Sequence, residues 1–172
     1  SAHADVIKLR ADLWCPYTCE AGAEKPGYMI EIAKIVFEKK GHKIDYKTQD
    51  WKKTLEEVRK GIVDGAVGAA KSTDVGFEYP DSSLGKVRLR FYTPNKATWT
   101  FSDAKSLESQ QLGVVEGYTY NATIDPYVAA NKNNSKRIVM FTGDDAVKDA
   151  MRKLHKNDLA VYYEDEGVFR YL

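Results

Sequence analysis

Cysteine and histidine are scarce in this chain of 172 residues, which holds two of the first and three of the second. A structural zinc site takes about four Cys or His ligands. His3, His42 and His155 show no ligand-like spacing, so no metal and no cofactor is expected. Charge of one sign is not in excess either: the formal net charge is +1. That removes the electrostatic case for nucleic acid or an anionic membrane as partner. No apolar run approaches the roughly 20 residues of a membrane span. Low-complexity segments and internal repeats are also absent. What is present is 43% hydrophobic and 30% charged residues, which suits a globular protein with one sizeable core or two small ones.

Both cysteines lie in "DLWCPYTCE", residues 12–20. Thioredoxin-like redox motifs are C-x-x-C, whereas Cys15 and Cys19 enclose three residues and have no second pair. The remaining possibilities are a disulfide closing a short loop, or two free thiols. Ala2-His3-Ala4 has the small-x-small form that often precedes a signal-peptidase cut, as in a chain that carries a signal peptide. An arbitrary tail is the alternative. With export, the disulfide Cys15–Cys19 is the expected state, in an oxidising compartment.

Polar and apolar residues then alternate in recognisable periods. "DVIKLRA" reads as a strand. "GYMIEIAKIVFEKKG" reads as a helix with Glu31, Lys34 and Glu38 outward and Met29, Ile32, Ile35 and Val36 inward. "HKIDYKT" is a strand. "DWKKTLEEVRKG" is a helix with Asp50 as N-cap, Leu55 and Val58 inward and Gly61 as its stop. "IVDGAVGAA" is a small-residue strand. This β-α-β-α-β order predicts a mainly parallel sheet with helices on its faces. "GKVRLRFYTPN" is extended. "LGVVEGYTY" leads from a strand toward a helix starting near Thr119 or Thr123. "RIVMFT" is a strand, "GDDAVKDAMRKLHKND" a helix burying Val147, Ala150, Met151 and Leu154, "LAVYYED" a strand, and "EGVFRYL" follows. The expected organisation is α/β in two lobes, 5–93 and 94–172, joined by an extended hinge near 92–98. Ligands in such folds sit at the carboxyl ends of strands.

The order "PGYMIEIAKIVFEKKG", "W..TLEEVRKGIVDGAVGA", "EYP", "LGVVEGYTY" and "LAVYYEDEGVF" resembles the family 3 extracytoplasmic solute-binding proteins, typified by polar amino-acid uptake systems. The resemblance covers nearly the whole chain, and "WCPYTCE" with "PGYMIEIA" looks like a subgroup from Gram-negative bacteria. It implies a two-lobed periplasmic-binding-protein-like (type II) fold. It also implies a periplasmic location, a small polar solute as ligand and an ABC permease as partner. Family members continue into a segment that returns to the first lobe, whereas this sequence stops at "FRYL": either it is a fragment or the first lobe is completed differently, and a missing return segment would leave apolar surface exposed on lobe 1 and loosen the hinge. Nothing calls for an oligomer, and a monomer is expected.

By the same resemblance, the loop after the first strand lines the ligand cleft. The disulfide would shape that loop and hold Trp14 and Tyr17 toward a ligand, with Trp51 near the same edge. Ala69, Ala70 and Lys71 follow the third strand. Thr73 falls on a family threonine, but the family arginine position is Gly76. A bidentate arginine is the natural clamp for an α-carboxylate; Lys71 offers a point charge instead. Gly117, Tyr118 and Thr119 match a stretch that presents backbone N–H groups to an anion. Asp165 matches the carboxylate that holds a ligand amino group, and equally suits an N-cap. A sensor input domain is the alternative function. A dehydratase-like enzyme, for which Glu116, Glu164 or Asp165 would be acid or base, ranks below both; no enzyme activity is expected.

Overall fold

The computed structural model describes residues 4–71 and 76–172. Two compact units divide between Lys86 and Val87. In the first, β1 (Val6–Ala11), β2 (Lys43–Thr48) and β3 (Gly65–Ala66) form a parallel sheet in the order β2-β1-β3. The helices α1 (Tyr28–Glu38) and α2 (Trp51–Arg59) make the crossovers. The two longer strands pair along their whole length, from Val6 opposite Lys43 to Ala11 opposite Thr48. Asp50 caps α2 as expected, its side chain accepting from the Lys53 N–H at 2.8 Å.

This unit's core is small: Leu9, Ala11, Met29, Ile30 and Val67, with Ile7, Tyr17, Tyr28, Ala33, Ile44 and Tyr46 packed around it. One charged pair lies inside the sheet. The buried Arg10 guanidinium donates to the Asp45 carbonyl at 2.7 Å and to its carboxylate at 3.0 Å. That bond holds the Asp45 carboxyl below its ordinary range.

Three expectations for this unit need correction. Helix α1 turns Met29 and Ile30 inward and leaves Ile32, Ile35 and Val36 exposed. Apolar residues occur around nearly its whole circumference, so the pattern alone does not select the buried face. In α2 the buried residues are Trp51 and Thr54, whereas Leu55 and Val58 are only half-buried. The third strand is two residues long. Its run of Gly and Ala brings few side chains to pack, and among the described residues it pairs only with β1.

The second unit holds β4 (Leu89–Tyr92), a 3₁₀ helix (Ala104–Ser109), β5 (Leu112–Val115) and α3 (Ile124–Asn131). It continues with β6 (Ile138–Phe141), α4 (Ala146–His155), β7 (Val161–Asp165) and α5 (Glu166–Tyr171). Its sheet runs β4-β7-β5-β6, with β4 antiparallel and the others parallel. The extended segment read as part of the first lobe therefore pairs within the second unit. Leu107, Leu112, Val114, Ile124, Tyr127, Ile138, Val161 and Tyr163 form the core. Helix α4 buries Val147, Ala150, Met151 and Leu154 on the expected stripe. Helix α3 begins at Ile124, and the Asn121 side chain accepts from the Thr123 and Ile124 N–H groups at 2.9 Å each. Among the described residues, no helix is long and apolar enough to cross a membrane.

Candidate functional site

In each unit the candidate residues follow the carboxyl ends of parallel strands, where α/β sheets leave room for ligands. After β1 the chain forms a tight loop closed by the disulfide Cys15–Cys19, whose Cα atoms are 4.8 Å apart. The backbone supports the same closure. Trp14 N–H donates to Thr18 C=O at 2.8 Å, and Cys19 N–H to Pro26 C=O at 2.7 Å. Tyr28 and Met29, which open α1, donate to the Pro16 and Tyr17 carbonyls. Gly27 makes this approach possible. It has φ +104°, and a β-carbon there would run into the Tyr17 carbonyl and the Cys19 nitrogen.

The loop orders a row of aromatic rings. The Trp14 and Tyr17 centroids are 4.5 Å apart and tilted by 42°. Tyr17 meets Tyr28 edge-on at 5.4 Å. Trp14 is buried and Tyr17 half-buried. Gly68, after β3, lies against the Trp14 indole: a β-carbon on it would sit 3.7 Å from Cε3. This contact brings the segment carrying Ala69, Ala70 and Lys71 to the aromatic loop. Ala69 is half-buried, and Ala70 and Lys71 are exposed. Trp51 is buried at the start of α2. Thr73 lies outside the described residues, and Gly76, at the family arginine position, is exposed.

Sequence reasoning missed Asp12. It directly follows β1, is buried, and its carbonyl accepts from the buried Thr18 hydroxyl at 2.9 Å. Its carboxylate stands close enough to Tyr46 to help burial raise that phenol's pKa. The Tyr46 hydroxyl donates to the Cys19 carbonyl at 2.6 Å, pinning the far end of the loop. The signal was faint: one acidic residue at a strand end reads as solvated unless the fold is known.

In the second unit, Gly117 and Thr119 are exposed after β5, and Tyr118 is half-buried. Gly117 has φ +82°, the left-handed region that suits glycine. Tyr120 faces the core, packing on Tyr163 at 5.3 Å, and its hydroxyl accepts from the Val115 N–H. The Asn121 side chain already occupies the Thr123 and Ile124 amides of α3. Any anion contact here therefore falls to the Gly117–Thr119 stretch before the helix.

Asp165 ends β7 and is 1% exposed. Its Oδ1 accepts from the Gly167 and Val168 N–H groups of α5, and its Oδ2 from the Arg88 N–H at 2.8 Å. The capping role is thus present. A carboxylate takes about four donors, so capping and a ligand contact are compatible. Glu164, also buried, accepts from the Tyr162 hydroxyl at 2.6 Å and from the Asp165 N–H at 2.7 Å.

No protein-family model and no curated protein matches this sequence. Solved structures do resemble it. An ancestral arginine-binding protein bound to glutamine aligns with TM-score 0.74 and 17% identity, over 96% of this chain and 72% of its own. The amino acid ABC transporter substrate-binding protein AbpA from Streptococcus pneumoniae, bound to L-arginine, aligns with TM-score 0.73 and 14% identity, over 96% and 69%. A structure concerned with glutathione import via GshT in Streptococcus mutans aligns with TM-score 0.75 and 15% identity, over 98% and 71%. Such neighbours are consistent with the resemblance to family 3 solute-binding proteins. At these identities the likeness shows the fold, and the chain has the two-lobed α/β fold of the periplasmic binding proteins.

Proposed function

We propose that this chain is a non-catalytic, exported binding protein of the family 3 type, taking up a small polar solute for an ABC transporter. The observation that carries the reading is the aromatic loop after β1. A disulfide, a backbone clamp and Gly27 all serve to hold Trp14 and Tyr17 in one arrangement. Rigid aromatic rings give contact area to a planar or cationic ligand group at little entropic cost. Asp12 and Asp165 would receive ligand amines. Lys71 and the Gly117–Thr119 amides would face a ligand anion. With Gly76 in place of an arginine, recognition of an α-carboxylate rests on Lys71 and backbone groups. A periplasmic, Gram-negative setting belongs to the same reading.

Thermal-shift and calorimetric titration test it, using L-arginine, L-glutamine, glutathione, polyamines, organic acids and sugars. A ligand at 100 times its Kd stabilises the folded state by about 2.7 kcal/mol. Binding of any of these in the micromolar range is the expected result. No shift with any of them would remove the solute-binding reading.

A further inference from the structure

From Trp14 to Cys19, every residue of the loop after β1 but one is tied by a backbone hydrogen bond. Trp14 and Thr18 bond each other across the loop, at 2.8 and 3.2 Å. The Tyr17 N–H donates to the Trp14 carbonyl, and the Pro16 and Tyr17 carbonyls accept from Tyr28 and Met29 of α1. Cys19 is held twice: its N–H donates to the Pro26 carbonyl, and its own carbonyl accepts from the Tyr46 hydroxyl. Cys15 is the exception. It makes no hydrogen bond among the described residues, and its tie is the disulfide. Access differs as well: Cys19 is 6% exposed, whereas Cys15 is half-buried. A cross-link over four positions removes little chain entropy, and the backbone closes this loop without it. The bond thus joins an anchored, buried cysteine to an untied, reachable one, and the loop keeps its other ties when it opens.

We propose that this disulfide is an exchange site for low-molecular-weight thiols, with Cys15 as the residue modified. A thiolate attacks the Cys15 Sγ and forms a new S–S bond with it. The Cys15–Cys19 bond breaks, and its electron pair leaves on the Cys19 Sγ, which then takes a proton from solvent. One thiol molecule is added in all, and no separate oxidant or reductant is consumed. Pro26 and Tyr46 still hold Cys19 in place, so its thiolate attacks back and releases the thiol. The Cα separation of 4.8 Å suits that reclosure. Half-burial of Cys15 favours a small thiol over a protein dithiol, which needs an open surface around the sulfur it attacks. Modification at Cys15, next to Trp14 and two residues before Tyr17, places the thiol's own groups beside the aromatic rings. The exchange requires no solute, so it stands or falls apart from the solute-binding reading.

The test incubates the 172-residue chain, without denaturant, with glutathione or free cysteine at about 5 mM. Quenching with N-ethylmaleimide and peptide mapping by mass spectrometry then locate the products. The expected result is the thiol on Cys15 and maleimide on Cys19, with circular dichroism unchanged. In single variants, Cys19→Ser should take up glutathione from glutathione disulfide at least about tenfold faster than Cys15→Ser, because access governs the reaction. Where a variant loses its native circular dichroism, the mapping of the parent chain decides alone. No adduct in buffer, while the same bond opens in urea, overturns the proposal. So does an adduct chiefly on Cys19, an adduct that forms only with loss of native circular dichroism, or equal uptake by two folded variants. Opening by a protein dithiol but by neither small thiol also overturns it, and assigns the disulfide to a macromolecular partner.

Discussion

Asp165 has a structural role to which the proposed ligand contact would be added. Its two oxygens take three backbone N–H groups, from Gly167, Val168 and Arg88. Truncation to Ala would remove an N-cap, worth about 0.5–2 kcal/mol, and so confuse folding with binding. Asn keeps an acceptor oxygen for the cap and removes the charge. If Asp165 holds a ligand amine, Asp165→Asn lowers affinity at least about tenfold, as for the loss of a charge-assisted bond. The Arg88 N–H would then face an amide NH2 group in place of Oδ2, so Tm in the absence of ligand should fall as well, by several degrees. Calorimetry beside differential scanning separates the two effects. Affinity equal to that of the parent protein would leave Asp165 as a cap alone.

At the scale of elements, the loop from Asp12 to Tyr28 carries the row of aromatic rings, and its disulfide spans four positions of sequence. Closing so short a ring contributes about 2 kcal/mol on the chain-entropy account. The Trp14–Thr18, Cys19–Pro26 and Tyr28–Pro16 backbone bonds remain when the disulfide is opened. Reduction, or the Cys15→Ser, Cys19→Ser pair, should therefore leave the first unit folded but lower its stability by about that amount in urea. Unfolding on reduction alone would show that the loop depends on the disulfide. Much of this element was legible in sequence: two cysteines with too few further ligands for a metal site, Pro16 between them, and aromatics alongside. Asp50 as cap and the buried stripe of α4 were legible for the same kind of reason, a local signal with one solution. The face of α1 was not, because apolar residues nearly encircle it. The buried Arg10 also escaped notice, since its reach to Asp45 depends on a register between strands that are distant in sequence.

For the whole molecule, the two units differ in how much apolar surface they bury. Among the described residues the second buries eighteen hydrophobic residues, from Leu107 to Val168. The first buries nine, and Val6, Ile32, Ile35, Val36, Ile62 and Leu84 are exposed around them. At about 25 cal/mol per Å² of apolar surface removed from water, that difference favours the second unit. Amide exchange follows local opening free energy, so the contrast can be read strand by strand. In the absence of ligand, the β5 and β7 amides should exchange at least about tenfold more slowly than those of β1 and β2, a difference of roughly 1.4 kcal/mol. The pairing of β1 with β2 is the longest parallel ladder among the described residues, six residues against four for β5 with β6. If backbone pairing rather than core burial governed protection, the order would reverse. Mass-spectrometric exchange on the intact chain distinguishes these cases. Slower exchange in β1 and β2 would mean that their ladder and the Arg10–Asp45 pair outweigh the larger core of the second unit.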